Sequence, residues 1–210
     1  MQVKIISATP YPASLISTAA GVCFDRDNIS LKRVQTCFNA DHLSVFEHAS
    51  ASFKVEGVSR ATMAQITRHR HASFAVKSQR YCRYDTAEPD WFVTPEAFEQ
   101  PGFVGDLTLE SWYQTEMERC GKAYQTALDH GIKPEDARFL LPEAAMTNFV
   151  LTMNCRALFH LFDMRIDKAA QWEVHECVKA MHDALRDRGG EWETLVKMYD
   201  EKREKERGNE

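Results

Sequence analysis

The segment from Arg68 to Tyr81, with the sequence RHRHASFAVKSQRY, holds a dense set of side-chain hydrogen-bond donors. Each of its arginines carries a planar guanidinium that can contact phosphate oxygens through two parallel hydrogen bonds. A charge-assisted bond of this kind contributes roughly 1.5–3 kcal/mol net. Composition alone leaves two interpretations open, which are a binding site for a phosphate-bearing ligand and a solvated basic turn.

The distribution of charge favours a small anionic ligand over a polyanion. The whole chain has a formal net charge of −5, but residues 57–84 contain six Lys or Arg side chains and no Asp or Glu. General nucleic-acid binding requires a surface that is positive over a wide area. A local basic patch on an acidic protein is instead typical of a site for a small anion, so we expect no nucleic-acid partner.

Other kinds of chemistry find little support in the sequence. His69 and His71 point apart on a helix, and no Cys, Asp or Glu lies nearby to complete a coordination sphere, so no metal site is predicted. Ser78 has no neighbouring base and orienting acid, which indicates a hydrogen-bond donor and not a nucleophile. The six cysteines are widely spaced without a Cys-x-x-Cys pair, which argues against a disulfide framework or a zinc site.

Two side chains of the segment CRALFHLFDMR admit both a structural and a functional interpretation. Arg165 could be a helix C-terminal cation, worth about 0.3–1 kcal/mol through the helix dipole, or a ligand-binding group. His160 could be a core histidine. Arg156, His160 and Asp163 have i, i+4 and i+7 spacing, so a helix would place them on one face.

Four separate segments resemble the flavin-dependent thymidylate synthase family. Arg68-His69-Arg70, followed by seven residues and Ser78, is similar to the family signature, and Ser73 and Arg80-Tyr81 extend the match. HLSVFEH resembles the upstream His-x-Ser-x-x-Glu-His element. DARFLLP places Arg138 four residues before a proline, as in the family. NCRALFHLFDMR and QWEVHE complete the resemblance, which covers about residues 42–176.

The resemblance implies a fold, an assembly and two sets of ligand residues. The implied fold is α/β of the α+β type, a single domain with a central antiparallel sheet flanked by helices, assembling as a homotetramer with active sites at subunit interfaces. The implied FAD-binding residues are Ser44, Arg68, His69, Arg70, Asn154, Arg156 and His160. The implied dUMP-binding residues are Gln65, Arg68, Ser78, Gln79, Arg80, Arg138 and Arg165. Val76 departs from the family pattern, because other members carry Glu or Gln there.

The implied activity is the reductive methylation of dUMP to dTMP. The carbon donor would be 5,10-methylenetetrahydrofolate, and FADH2, re-reduced by NADPH, would donate the hydride.

The sequence has no Gly-x-Gly-x-x-Gly cradle, so flavin phosphates would need side-chain donors. Arg165 is the predicted catalytic residue, because a fixed cation beside the pyrimidine can lower the barrier by about 3–4 kcal/mol. The resemblance implies no enzyme nucleophile, so Cys82 should be dispensable. Alternatives are a flavoprotein with another acceptor and a nucleic-acid-binding module.

The elements that must position these side chains can be read from the hydrophobic pattern. We predict a strand at 3–6, helices at 12–22, 29–40, 109–130, 155–165 and 170–187, and a strand from Ala51 to Glu56. A helix beginning after Ser59 would place Gln65, Arg68 and His69 on one face, and the residues from His71 to Pro95 should form a loop. The segment AAMTNFVLTMN fits either a helix or a buried strand.

The length of 210 residues allows one large domain or two small ones. Because the sequence shows no clear domain boundary, we predict one domain, at 1–199, followed by a charged tail at 200–210 that ends as a frayed helix. No apolar run approaches the ~20 residues of a membrane span. The N-terminal residues lack the pattern of a secretory signal, which predicts a cytoplasmic protein without a membrane partner.

Overall fold

The computed structural model describes residues 1–167 and 169–208 and contains both helices and strands. The strands are β1 (Gln2–Ala8), β2 (Ser50–Ser59), β3 (Ala72–Val76), β4 (Phe103–Val104), β5 (Leu107–Thr108) and β6 (Met146–Asn154). The helices are α1 (Pro12–Val22), α2 (Leu31–Asn39), α3 (Arg60–Ile66), α4 (Leu109–Asp129), α5 (Pro134–Ala137), α6 (Cys155–Arg165), α7 (Trp172–Asp187) and α8 (Gly190–Arg207). Short 3-10 helices include Leu43–His48 and Arg138–Leu140.

The larger sheet has the strand order β1-β2-β6-β3. β1 and β2 are antiparallel, with Val3 opposite Val55 and Ile5 opposite Phe53. The side chains of Phe53 and Val55 are fully buried, as the period-two pattern of that segment predicts. The mixed class of helix and sheet and the antiparallel sheet are therefore confirmed.

The chain divides into two compact units. The first contains Met1–Glu56, Ile66–Ala75 and the described residues from Phe149 onward, and the second contains Gly57–Gln65 and Val76–Asn148. The predicted division into a domain at 1–199 and a tail at 200–210 stays a prediction. Its boundary lies inside α8, which runs from Gly190 to Arg207.

The core of the first unit is built on helices α1, α2, α6, α7 and α8 together with the sheet. Aromatic rings join these elements, because Phe159 of α6 stacks on Tyr199 of α8 with ring centroids 5.1 Å apart. Phe159 also contacts Phe38 of α2 edge-on at 5.3 Å. The buried Trp192 donates its Nε1–H to the carbonyl of Thr9 at 2.9 Å, which ties the first turn of α8 to the end of β1.

The core of the second unit lies along α4. Tyr84, Trp91, Tyr113 and Tyr124 are buried there, and the hydroxyl of Tyr124 accepts a hydrogen bond from the backbone N–H of Tyr84 at 3.3 Å. Gly131 follows α4 with a φ of +81°, a left-handed conformation that glycine adopts without strain. The predicted end of this helix at a C′ glycine is confirmed.

Two expectations about local structure need correction. The predicted loop after His71 contains strand β3, because pairing in the sheet orders a five-residue run whose own pattern is weak. Ser59 caps α3 as expected, accepting from the Thr62 N–H at 3.0 Å, but the helix ends at Ile66. Arg68 and His69 therefore lie beyond it, and the prediction that they share a helix face with Gln65 is wrong.

The other differences concern β6 and α8. The ambiguous segment AAMTNFVLTMN forms strand β6, in which buried and partly buried side chains alternate along the whole strand. The tail from Asp200, predicted to be a frayed helix end, is helical as far as Arg207, and its fraying stays a prediction. Lys202 and Arg203 hold this last part through ion pairs with Asp41 and Asp163.

Candidate active site

Helix α6 presents three of the predicted side chains to one cavity. The helix begins because the Oδ1 atom of Asn154 accepts a hydrogen bond from the Ala157 N–H at 2.8 Å, a typical N-cap. Arg156, His160 and Asp163 then lie along one face of α6 and line a cavity of about 710 Å³, as their spacing predicts. His160 is exposed to this cavity, so its interpretation as a core histidine is wrong.

The residues that follow α3 form a second wall of the same cavity. Arg68, His69, Arg70 and His71 all line it, although they lie outside the helix. The backbone N–H of His69 donates to the Ile66 carbonyl at 3.1 Å, which folds the chain back at the helix end. The arginines of this segment remain exposed, whereas His69 is half-buried.

Arg165 and His69 are in direct contact. The Nε–H of Arg165, the last residue of α6, donates to Nε2 of His69 at 3.2 Å. The rings of His69 and His160 meet edge-on with their centroids 6.0 Å apart. These contacts join the end of α6 to the segment after α3. Both interpretations of Arg165 therefore remain compatible with its position.

Burial, together with the nearby charges of Arg165 and His160, lowers the pKa of His69 from 6.5 to about 4. His69 is therefore neutral at neutral pH. Because Nε2 accepts the hydrogen bond from Arg165, the ring proton is on Nδ1. In this arrangement His69 fixes the orientation of the guanidinium and adds no positive charge of its own.

The 3-10 helix Leu43–His48 contributes a third wall. Leu43 and Glu47 line the cavity, and Oε1 of Glu47 accepts a hydrogen bond from Nη1 of Arg156 at 2.6 Å. Ser44 lies on the same 3-10 helix and is exposed, but it is not among the lining residues. Of the seven predicted FAD-binding residues, the cavity therefore brings together six.

Helix α8 supplies two cavity residues that sequence analysis did not identify, Lys202 and Arg203. Nζ of Lys202 contacts Oδ1 of Asp41 at 2.6 Å, and Nη2 of Arg203 contacts Oδ2 of Asp163 at 2.5 Å. The sequence carries no local signal for them, because their partners are 161 and 40 residues away.

The cavity has an excess of positive charge. Six Lys or Arg side chains line it, whereas the lining carboxylates are those of Asp41, Glu47 and Asp163. The volume of about 710 Å³ lies within the range of cofactor-binding pockets, roughly 300–1,000 Å³. Size, charge and donor set fit a phosphate-bearing cofactor.

The remaining predicted dUMP residues belong to the second unit. Nε of Arg80 contacts Oε2 of Glu135 at 2.6 Å, and Nε of Arg138 donates to the Glu135 carbonyl oxygen at 3.0 Å. Ser78 accepts a hydrogen bond from the backbone N–H of Arg80 at 3.2 Å. Glu135 therefore links both arginines, a role that the sequence analysis missed. Gln79 hydrogen-bonds to the side chain of Tyr84.

The position of Gln65 differs from that of Arg68 and Arg165. Gln65 lies near the end of α3 and belongs to the second unit, whereas Arg68 and Arg165 line the cavity of the first.

In the described part of the chain, no group of three or more His, Cys, Asp or Glu residues could hold a metal ion. No helix among the described residues is long and apolar enough to cross a membrane.

Fold and site together define an α+β protein with a cationic cavity suited to a nucleotide-type cofactor. Comparison with known proteins specifies the class further. The family model described as thymidylate synthase complementing protein matches residues 4–188. The chain is 36% identical to the flavin-dependent thymidylate synthase of Haloarcula marismortui, covering 89% of this chain and 91% of that protein. It is 37% identical to the Geobacter sulfurreducens enzyme, covering 83% and 77%.

A solved structure agrees with the sequence comparisons. The chain superposes with a TM-score of 0.73 and 26% identity on thymidylate synthase X from Helicobacter pylori, crystallised with FAD and dUMP. The match covers 95% of this chain and 99% of that one. This chain belongs to the flavin-dependent thymidylate synthase family.

Proposed function

We propose that this protein converts dUMP to dTMP, with 5,10-methylenetetrahydrofolate as the carbon donor and FADH2, re-reduced by NADPH, as the hydride donor. The observation that carries the proposal is the convergence of the Arg68–Arg70 segment and helix α6 on one cationic cavity of about 710 Å³. Relatives that are 30–37% identical over most of the chain are flavin-dependent thymidylate synthases.

The cavity residues would bind FAD through charge and hydrogen bonds. We assign Arg68, His69, Arg70, Asn154, Arg156 and His160 to this role, and Ser44 from the neighbouring 3-10 helix. When bound, reduced flavin supplies the hydride that no amino-acid side chain can store. The protein's part is to hold the cofactor with side-chain donors, since it has no glycine-rich phosphate cradle.

The dUMP site would use Gln65, Arg68, Ser78, Gln79, Arg80, Arg138 and Arg165. Arginines and hydroxyls of this set would bind the phosphate. Arg165 would lie beside the pyrimidine, where its guanidinium, oriented by His69, stabilises the negative charge that develops at the N3 and O2 edge. Because arginine stays protonated at any working pH, this role needs no proton transfer by the side chain.

We also propose a cytoplasmic homotetramer with active sites at subunit interfaces. Support for the assembly comes from the family resemblance. Several large apolar side chains of the second unit are exposed in the single chain, among them Tyr81, Phe103 and Phe139. Large exposed apolar surface commonly marks an interaction surface.

The experiment for the proposed function has two stages. A purified sample, reconstituted with FAD, should be yellow and lose its visible absorption when NADPH is added under anaerobic conditions. Incubation with dUMP, methylenetetrahydrofolate and NADPH should then give dTMP, with omission of each substrate as the control. A protein that binds no FAD would contradict the proposed flavin-dependent reaction. A flavoprotein that oxidises NADPH without forming dTMP would indicate a different acceptor.

A further inference from the structure

Two consecutive residues of α8 connect opposite walls of the cavity. Lys202 contacts Asp41, which is separated from the 3-10 helix Leu43–His48 only by His42. Arg203 contacts Asp163, which lies on the cavity face of α6. Both cations lie beyond residues 4–188, the part of the chain that matches the family model. We call Lys202 and Arg203 the α8 clamp.

The Lys202 side of the clamp stabilises the turn that contains Asp41. Asp41 has a φ of +57°, a left-handed conformation that a residue with a Cβ adopts at a cost in free energy. Nζ of Lys202 donates to both Oδ1 of Asp41 at 2.6 Å and the carbonyl of Phe38 at 3.2 Å. It also lies 5.0 Å from the centroid of the Phe38 ring. One ammonium therefore holds both ends of the Phe38–Asp41 turn.

The Arg203 side of the clamp fixes a carboxylate of α6. Oδ2 of Asp163 contacts Nη2 of Arg203 at 2.5 Å, and Oδ1 accepts a hydrogen bond from the Tyr199 hydroxyl at 2.8 Å. Arg203 is itself held by Glu206 through its other terminal nitrogen. Because Tyr199 also stacks on Phe159, α8 contacts α6 through both an apolar and a charged surface.

Resting on the proposed function, we propose that Lys202 and Arg203 are positioning residues for the flavin site. Lys202 sets the 3-10 helix that carries Ser44 and Glu47, and Arg203 sets α6, which carries Arg156 and His160. Neither cation needs to touch the cofactor, because each is already paired with a carboxylate. Together they fix the distance between the two walls, and that distance determines whether donors on both walls reach one ligand.

The test uses the full-length protein with Lys202→Met and Arg203→Met, and Lys197→Met as the matched control. Lys197 is an exposed lysine of the same helix that pairs with Glu193 and does not line the cavity. We expect the FAD dissociation constant to rise about three- to tenfold in Lys202→Met and about tenfold or more in Arg203→Met. The control should stay within twofold of the wild type. Arg203→Lys should recover part of the lost affinity.

A measurement on the FAD-free protein separates positioning from general destabilisation. Hydrogen exchange should quicken in residues 42–48 of Lys202→Met but not in residues 155–165, and the opposite should hold for Arg203→Met. Uniformly faster exchange, or unchanged FAD affinity in both variants, would overturn the proposal. If the wild type bound no FAD, the proposed function would fail, whereas the exchange pattern would still decide whether the clamp orders the two walls.

Discussion

Arg165 is both the last residue of α6 and part of the wall of the candidate site. It ends α6, where a cation is favoured by the helix dipole, and its Nε–H is directed to a neutral histidine. A neutral partner orients the guanidinium without compensating its charge, unlike a carboxylate. This contact therefore places the guanidinium in the wall of the cavity without adding a negative charge beside it.

We predict that Arg165→Ala reduces dTMP formation by about 100-fold or more while leaving FAD bound. The expected loss follows from the roughly 3–4 kcal/mol that a preorganised donor contributes to the barrier. Turnover under saturating substrates and the visible spectrum of the flavin are the two measurements. Arg186→Ala, which removes an exposed arginine of α7, is the control and should retain wild-type turnover. Wild-type turnover in Arg165→Ala would remove this residue from the mechanism.

The lowered pKa of His69 makes a prediction about stability. The unfolded chain binds a proton at His69 below pH 6.5, but the folded protein does so only near pH 4. Between these values the unfolded state binds more protons, so the free energy of unfolding falls as the pH falls through this window. After allowance for solvent screening of this half-buried ring, the contribution is on the order of 1–3 kcal/mol; it is fully present above pH 6.5 and lost below about pH 4.

Urea unfolding at pH 7 and pH 4.5 measures this effect. His69→Asn should lose less stability over this interval than the wild type, because its side chain does not titrate. An equal loss in both proteins would contradict the pKa shift. Nuclear magnetic resonance of the His69 ring should independently show the neutral form with its proton on Nδ1 at pH 7.

At the scale of elements, Asn154 joins the start of a helix to the candidate FAD site. Its Oδ1 atom caps α6, and the residue also lines the cavity. A substitution there can therefore act on helix stability, on ligand binding or on both. Aspartate separates the two, since it caps helices as well as asparagine but introduces negative charge.

We predict that Asn154→Asp keeps the thermal stability of the wild type but weakens FAD binding. Asn154→Ala should lose both, with a decrease of about 1 kcal/mol in the free energy of unfolding from the lost cap. Thermal or urea unfolding without FAD and titration with FAD are the measurements. If Asn154→Asp bound FAD as tightly as the wild type, Asn154 would serve only as a cap.

The sequence predicts the boundaries of some helices well and misses one strand and one helix end. Helices α1, α4 and α6 were predicted almost to their boundaries. β3 was missed because five residues alternate only weakly, and pairing with a neighbouring strand decides their conformation. The end of α3 was missed because its helical pattern continues past Ile66 in the sequence, although the backbone turns there.

The same distinction applies to the candidate site. The Arg68–Arg70 motif and the i, i+4, i+7 spacing on α6 identified cavity residues, since both depend on local geometry. The α8 clamp and the Glu135 link could not be found in this way. They depend on contacts between distant residues, and no periodicity within one helix reports such contacts.

At the scale of the whole molecule, exposed aromatic side chains predict association. Phe139 follows Arg138 directly and is 84% exposed, the largest value among the exposed large apolar residues described. We expect a homotetramer of four times the 24.1 kDa chain mass in sedimentation experiments. Phe139→Glu should shift the protein to smaller species and reduce turnover, while the melting of the separate chain stays cooperative. A wild-type protein that is fully active as a monomer would contradict this prediction.

The twelve residues from Asn154 to Arg165 include the cap of helix α6, the polar cavity-lining side chains of Arg156, His160 and Asp163, and Arg165 itself. If these residues bind as proposed, both ligands depend on the same helix. On heating, the loosening of α6 would then remove the proposed contacts to the coenzyme and to the nucleotide in the same event. Either ligand, by holding α6 in place, should consequently raise the temperature at which the other departs.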